Sequence, residues 1–522
     1  MFTGNVGTRG EHALRRPMHV HTIIVGAGTA GSLLAARLST RSDREVLLVE
    51  AGPDYTPATL PPDLADGRRN ALSSHDWGHR HRPSTTPIRM GMPRGRVVGG
   101  SSAVNTCIAI RPLPRDLDEW VALGLDEWSH EACLPALKAI ENDLDYGGSR
   151  PDIHGSGDGL PLRRHRPEEW TRWQAALVEA SLELGHPACA DTNDPTTPAG
   201  VGSHAMNQIE GRRVSVAEAM LTPEVRARPN LRIQANTDVE TVLFEGDRAC
   251  GVRTHHNGVV TDVLADQVVI CAGSLQTPSL LMRSGIGAPE TLRRLGITVR
   301  SARAGVGARL LDHPGFAMFL RPRSPGVFTP DGPLIQTVLR CSSGEGPWSD
   351  DLQLQVGSFV PLGRTTAPLV TIMAMLGKTH GHGTLQWDSV DLGSRPRIDS
   401  RFHEDPRDRT RAVTAMALAR DLAATNTMRP LARPLWPRPF TLARRKRIER
   451  WVPWATDSGY HPSGTAPMGR EDDVSAVTDG RGKVWGCEGL FVADASLFPT
   501  IPTGNIHLSV LMVAERIAGW LD

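Results

Sequence analysis

Few side chains in this sequence are typed and spaced for chemistry, and they lie far apart along the chain. The stretch YHPSGTAPMG, residues 460–469, sets His461 beside a proline with Gly464 and Gly469 close behind. A neutral imidazole can accept a proton from a neighbouring group, but a histidine in a Gly/Pro turn is also an ordinary satisfied loop residue, and the stretch alone leaves both readings open. The run GAGTAG, residues 26–31, offers bare backbone N–H groups of the kind that bind phosphate. HDWGHRH places His75, Asp76, His79 and His81 at spacings that could hold a metal. Nothing else in the chain supports a metal, so none is expected.

Whether these residues act depends on the elements that position them. HTIIV (21–25) reads as a buried strand, SLLAARLST as a helix, and EVLLVEAG (45–52) as a second strand ending at Glu50. Strand, glycine turn, helix, strand and acid make a βαβ unit for a dinucleotide. Gly26 permits the tight turn, Gly28 the close approach of a pyrophosphate, and Gly31 the packing of helix on strand. Glu50 lies where a carboxylate accepts from ribose hydroxyls. The motif does not separate NAD from FAD. PRGRVVGGSSAVNTCIAI (93–110) carries adjacent glycines, two serines and an asparagine, which suits either contact with a flat ring or an ordinary polar loop. ADQVVICAGSLQTPSLLMRSGIG (265–287) predicts a strand, a glycine turn and a helix capped by Gly285. Residues 230–246 and 250–265 alternate like antiparallel strands. In 489–521, LFVADA reads as a strand and 505–520 as an apolar helix.

The bulk properties bound the function classes. With 522 residues the chain exceeds a single core, and a formal net charge of +1 gives no footprint for nucleic acid. The basic run RRKR (444–447) reads as a solvated helix face. The seven cysteines are isolated and odd in number, which favours free thiols in a reducing, cytoplasmic setting. No apolar stretch approaches 18 residues, so no membrane span is expected. Residues 1–17 read as a disordered leader. The region 311–450 offers strands in DLQLQVGSFV, LVTIMAML and GTLQW and a helix near 407–424, and reads as a substrate cap.

Taken together, VGAGTAGSLLAARLS with VLLVEAG, RGRVVGGSSAVN, CAGSLQTPSLLMRSGIG, HPSGTAPMG and VADASLFPTIPTGNIHLSVLMVAERIA resemble the glucose–methanol–choline (GMC) oxidoreductases over nearly the whole chain. The resemblance implies an α/β plus α+β fold. A Rossmann-like FAD-binding domain would be assembled from 18–160, 205–310 and 455–522, and a mixed-sheet cap from 161–204 and 311–454. It implies oxidation of a small-molecule alcohol by hydride transfer to flavin N5, with O2 or another acceptor taking the electrons, and it is compatible with a homodimer. His461 becomes the general base and Asn505 the group that steadies the substrate oxygen, with His507 as its rival; Gln355, Tyr460 and His507 face the substrate. FAD contacts carry over to Gly26, Gly28, Thr29, Ala30, Gly31, Glu50 and Ala51, then to Arg96, Val98, Gly100, Ser101, Asn105 and Thr106. They continue at Val239, Ala272, Gly273, Asp494, Ala495, Asn505 and Ile506. A helix starting near 505 would aim its positive end at the isoalloxazine.

The pattern is nearest to the choline oxidase and choline dehydrogenase branch, with three departures. That branch's covalent-flavin histidine is replaced by Val104, so FAD is expected to be non-covalent. Its choline-binding glutamate after DHP is replaced by Gly315, which argues against choline. A substrate histidine falls at Gln355. The alternatives are a GMC-fold lyase or other non-redox enzyme using the same base, or a silent FAD-binding protein.

Overall fold

The computed structural model describes residues 18–197, 199–362 and 365–521, so the expected leader lies outside the described residues. The strand His19–Val25 runs parallel to Val46–Val49 on one side and to the second half of the long strand Val259–Ile270 on the other. Leu231–Gln234 extends the parallel set beyond Val46–Val49, and Leu490–Val492 pairs parallel with Val268–Ile270. The first half of Val259–Ile270 instead continues antiparallel into Arg248–His256 and Thr237–Glu245, completing a seven-stranded sheet. The stretch 230–246 is therefore not one antiparallel strand. It breaks at Asn236, whose φ of +51° turns the chain, and its first part joins the parallel edge. Asn257 and Gly258, both at positive φ, form the tight hairpin that follows.

The nucleotide turn has the expected steric logic. Gly26 has φ +100°, and a Cβ there would sit 2.5 Å from the Cys271 carbonyl oxygen. In the helix Thr29–Leu38, a Cβ on Gly31 would lie 1.9 Å from the Gly26 oxygen, so helix and turn pack backbone to backbone. Gly100, at φ +53°, passes so close to Gly28 that a Cβ on it would fall 2.7 Å from the Gly28 Cα.

A second seven-stranded sheet follows the order Ala432–Trp436, Pro314–Pro322, Val370–Leu376, Leu352–Gly357, Thr337–Cys341 and Val201–Ser203, with Asp457–Ser458 added to the start of Pro314–Pro322. Every pairing in it is antiparallel, whereas a smaller four-stranded sheet that includes Arg80–Arg82 and Arg397–Asp399 is mixed. The helices Arg172–Glu183 and Pro406–Ala424 cover one face. Trp173, fully buried, fills the seam, its indole N–H donating to the Thr371 carbonyl at 3.1 Å. Burial of a side chain that size contributes roughly 1.5–3 kcal/mol. The two sheets have separate apolar cores, but Leu385, Trp387 and Ile398 cross over and pack in the first. The open face of the second sheet and the ends of the parallel strands bound one cavity.

Candidate active site

Two separated segments form a ribbon that delivers the histidine. Leu311 and Ser463 exchange backbone hydrogen bonds at 3.0 and 2.8 Å, and Pro314 and Gly315 pair with Ser458 and Asp457. Asp312, buried between the segments, clamps them: its Oδ1 accepts from the His313 N–H at 2.8 Å and the His461 N–H at 2.9 Å, and its Oδ2 accepts from the Ser458 hydroxyl. Tyr460 takes the left-handed conformation, φ +67°, and its carbonyl accepts from Arg94 Nη2 at 2.8 Å. Such a φ is costly for a residue with a Cβ. Here it turns the chain so that His461 lines the cavity.

His461 Nε2 lies 3.0 Å from Asn505 Nδ2, and its Nδ1 lies 3.0 Å from Nδ1 of His313. His313 Nε2 in turn reaches the Pro502 carbonyl at 2.9 Å. Burial, reinforced by neighbouring His313 and Arg94, holds the His461 pKa well below the usual imidazole range, so the ring is neutral at pH 7. Burial likewise brings His313 down to about 4.

Asn505 precedes the helix His507–Leu521 and is set by the turn before it, where Thr503 donates to the Asp116 carboxylate from its N–H at 3.0 Å and its hydroxyl at 2.7 Å. Gln353 Nε2 donates to Asn505 Oδ1 at 3.3 Å, which turns the amide N–H toward His461. Asn505, not His507, faces His461. His507 lines the cavity with a buried, unpartnered Nε2, and burial lowers its pKa to about 4.

The cavity measures about 710 Å³ and gathers most of the expected residues. Gly26, Gly28, Thr29, Ala30, Glu50, Ala51, Val239, Ala272 and Gly273 line one end. Gly100, Ser101, Asn105 and Thr106 line it further along, with Asp494, Ala495, Asn505 and Ile506 beside the histidine loop. Gln355 and Tyr460 line it too. Gly31, Arg96 and Val98 do not: Gly31 backs onto Gly26, Val98 is buried, and Arg96 pairs with Asp238 at 3.1 Å over the Trp77 ring. The Asp494 carboxylate is occupied by protein donors, Gly273 N–H, Thr277 hydroxyl and Ser496 N–H.

These residues fit a dinucleotide flavin. The Gly28–Gly100 approach leaves bare backbone where a diphosphate needs it. Glu50 is a buried carboxylate with no ion-pair partner among the described residues. Burial lifts its pKa to about 7 against the N–H groups of Gly52 and Ala27, which its oxygens accept at 2.8 and 2.9 Å. Ribose hydroxyls donating to its remaining lone pairs would restore its solvation.

The four polar groups of HDWGHRH diverge. His75 meets the Tyr55 hydroxyl at 3.0 Å, Asp76 accepts from the Arg94 N–H, and His81 lies between Ser400 and Asp457. His79 lines the cavity with both ring nitrogens unpartnered. Among the described residues, only Glu141, Asp143 and His154 cluster at metal-ligand spacing, and Arg111 and Arg164 already pair with the two carboxylates.

Sequence reasoning missed Asp312, His313 and Gln353. A signal existed for His313: LDHPGF repeats the His-Pro pair of YHPSG. Nothing in the sequence says that Gln353 and Asn505 meet.

Two family models, both described as GMC oxidoreductase, match residues 20–315 and 379–514. A 5-(hydroxymethyl)furfural oxidase of Methylovorus sp. (strain MP688) is 35% identical over 524 residues, covering 95% of this chain and 97% of the relative. Oxygen-dependent choline dehydrogenase 1 of Chromohalobacter salexigens is 31% identical over 539 residues, covering 95% and 93%. Among solved structures, pyridoxine 4-oxidase from Mesorbium loti superposes with a TM-score of 0.88 at 29% identity, covering 96% of this chain and 99% of that one.

Proposed function

We propose that this chain, which belongs to the GMC oxidoreductases and is an FAD-dependent oxidoreductase of alcohols, takes a primary alcohol borne on a small heteroaromatic ring with a hydrogen-bond acceptor away from the carbinol. The observation that carries this reading is the 3.0 Å pairing of His461 Nε2 with Asn505 Nδ2 in the cavity. A substrate hydroxyl inserted between them donates to Nε2 and accepts from Nδ2, replacing one direct bond by two. His461 takes the hydroxyl proton, and the Asn505 amide donates to the oxygen as its charge grows. Bound FAD supplies the acceptor for the hydride leaving the carbinol carbon. A general base of this kind contributes typically about 10²–10⁴-fold.

The rest of the cavity supports the ring. Leu334, Ile335, Phe319, Met373 and Trp436 provide apolar walls. Gln355 Oε1 accepts from His204 Nε2 at 3.0 Å and from Gln353 at 3.4 Å, while its amide nitrogen has no protein partner among the described residues. That N–H pair suits a carbonyl, ring nitrogen or ring oxygen on the substrate. The furfural and pyridoxine in the names of two similar proteins are both flat heteroaromatic rings bearing a hydroxymethyl group. Quaternary ammonium substrates are disfavoured: Gly315 brings no carboxylate, and Asp457 is engaged by His81 at 2.9 Å. Val104 is buried and lacks a nucleophile, which supports non-covalent FAD. The division into an FAD-binding part (18–160, 205–310, 455–522) and a cap (161–204, 311–454) belongs to the same proposal and follows the two cores.

Anaerobic mixing with hydroxymethyl-furans and hydroxymethyl-pyridines should bleach the flavin absorbance far faster than choline or straight-chain alcohols do. Faster bleaching by choline or an alkanol would remove the ring from the proposal. No bleaching by any alcohol would favour non-redox use of the base.

A further inference from the structure

The bonds around His461 have a polarity that only one arrangement of protons satisfies. The Pro502 carbonyl can only accept, so His313 Nε2, 2.9 Å away, carries a proton. His313 is buried and neutral, with a pKa of about 4, so its Nδ1 carries a lone pair. That lone pair faces His461 Nδ1 at 3.0 Å, so His461 Nδ1 is the protonated nitrogen and donates. His461 is also neutral. Its remaining lone pair is therefore on Nε2, the nitrogen that meets Asn505 Nδ2 in the cavity. The hydrogen bond made by one ring nitrogen decides what the other can do.

We propose that His313 is a positioning residue that locks His461 in the Nδ1-protonated tautomer, presenting an unprotonated Nε2 to the substrate hydroxyl; this rests on the reading of His461 as the base. His313 is not itself among the residues lining the cavity and has no hydrogen bond to Asn505, so it reaches the site only through His461. When the hydroxyl O–H bond breaks and the proton binds Nε2, His461 becomes an imidazolium whose Nδ1–H still points at a neutral acceptor. A carboxylate in that place would hold His461 protonated in the resting enzyme, and an apolar group would leave the tautomer free. The charged groups bearing on the pair are Arg94 on the His461 side and Lys378 with Asp116 on the His313 side; the Asp312 carboxylate is occupied by backbone N–H groups and Ser458. None of them supplies an acceptor to His461 Nδ1.

Two amide substitutions separate this role from a merely structural one. An asparagine at 313 can place its Oδ1 where Nδ1 was, keeping an acceptor for His461 while giving up Pro502. A glutamine can place its Nε2 where the imidazole Nε2 was, keeping the Pro502 bond while losing the acceptor. In the FAD-loaded enzyme under anaerobic conditions, His313→Gln should slow flavin reduction by about 10–100-fold, by analogy with the loss of a partner that orients a metal-ligating histidine. His313→Asn should stay within a few-fold of the parent, about 2–3-fold. Rates are read per bound flavin, so lost cofactor does not count as lost catalysis. The reverse order, with glutamine active and asparagine slow, or an equal loss in both, overturns the tautomer lock in favour of a structural tie to Pro502. The ¹⁵N-histidine spectrum of the unmodified holoenzyme needs no variant: His461 should carry its proton on Nδ1, and protonation on Nε2 overturns the proposal. If His313→Gln is fully active while His461→Ala is slow, only this inference falls; if His461→Ala is itself undiminished, the reading of the base falls with it.

Discussion

The protein buries two histidine centres with opposite electrostatics. His154 has carboxylates on both sides: Nδ1 lies 2.9 Å from Glu141 and 3.2 Å from Asp143, and Nε2 lies 2.8 Å from Asp191. Burial works to lower its pKa, but hydrogen bonds to Asp191 and Glu141 outweigh it and raise the value to about 9. Arg111 and Arg164 balance the remaining negative charge. His461 meets only a neutral imidazole and an amide, with Arg94 nearby, and is held neutral. Both rings are polar and largely enclosed, yet only His461 has a nitrogen free to exchange its partner for a substrate. Enclosure alone does not make a histidine reactive; what matters is the charge of its partners and whether one lone pair faces a cavity.

Four measurements sharpen or break that contrast. His461→Ala should slow anaerobic flavin reduction by about 10²–10⁴-fold with FAD still bound; an unchanged rate would make the two histidines equivalent. Asn505→Ala should cost about 10²–10³-fold, the scale for one donor to a developing oxygen charge, with a larger effect on kcat than on substrate affinity. His154→Leu should reverse the pattern. It leaves the three buried carboxylates Glu141, Asp143 and Asp191 facing only the two guanidinium groups of Arg111 and Arg164, one negative charge uncompensated, costing about 3–5 kcal/mol of stability in chemical denaturation, while turnover per folded, flavin-loaded molecule stays the same. A loss of turnover at full occupancy would give His154 a role in the reaction.

The fourth measurement is of pH dependence. His204 and His403, at about 3, and His313 and His507, at about 4, are held neutral by burial in the folded state. Below the unfolded-state value near 6.5 the unfolded chain binds these protons and the folded one does not. Stability then falls as pH falls, by about 1.4 kcal/mol per unit for each such histidine. His154 acts the other way: its stabilisation is fully present below about 6.5 and is lost as pH rises through about 9. Thermal unfolding followed from about pH 5 to about pH 9 should therefore decline toward both ends. His461 predicts that flavin reduction keeps its rate as pH falls through 6.5 and fails only well below it.

The parts legible in the sequence obey local rules. The turn at 26–31 is constrained by the backbone: with Cys271 and Gly26 oxygens where side chains would go, glycine is required whatever the rest of the chain does. The expected helix near 407–424 is observed as Pro406–Ala424, opened by Asp405, whose carboxylate accepts from the Arg407 N–H. The reading of 230–246 went wrong where local rules give out, because alternation does not say which edge a strand joins. His313 and Gln353 were missed because their partners lie 148 and 152 residues away.

By itself the sequence determined the nucleotide turn and the helices and strands around it, since these follow from steric limits and side-chain chemistry within a few residues; the imidazole and the amide were implied only by the family resemblance. Only the tertiary structure decided which nitrogen of His461 meets the cavity, that Asn505 rather than His507 faces it, and that His313 stands behind it. Hydrogen-bond polarity is a property of atoms about 3 Å apart, and the fold alone brings residues so distant in sequence to that separation.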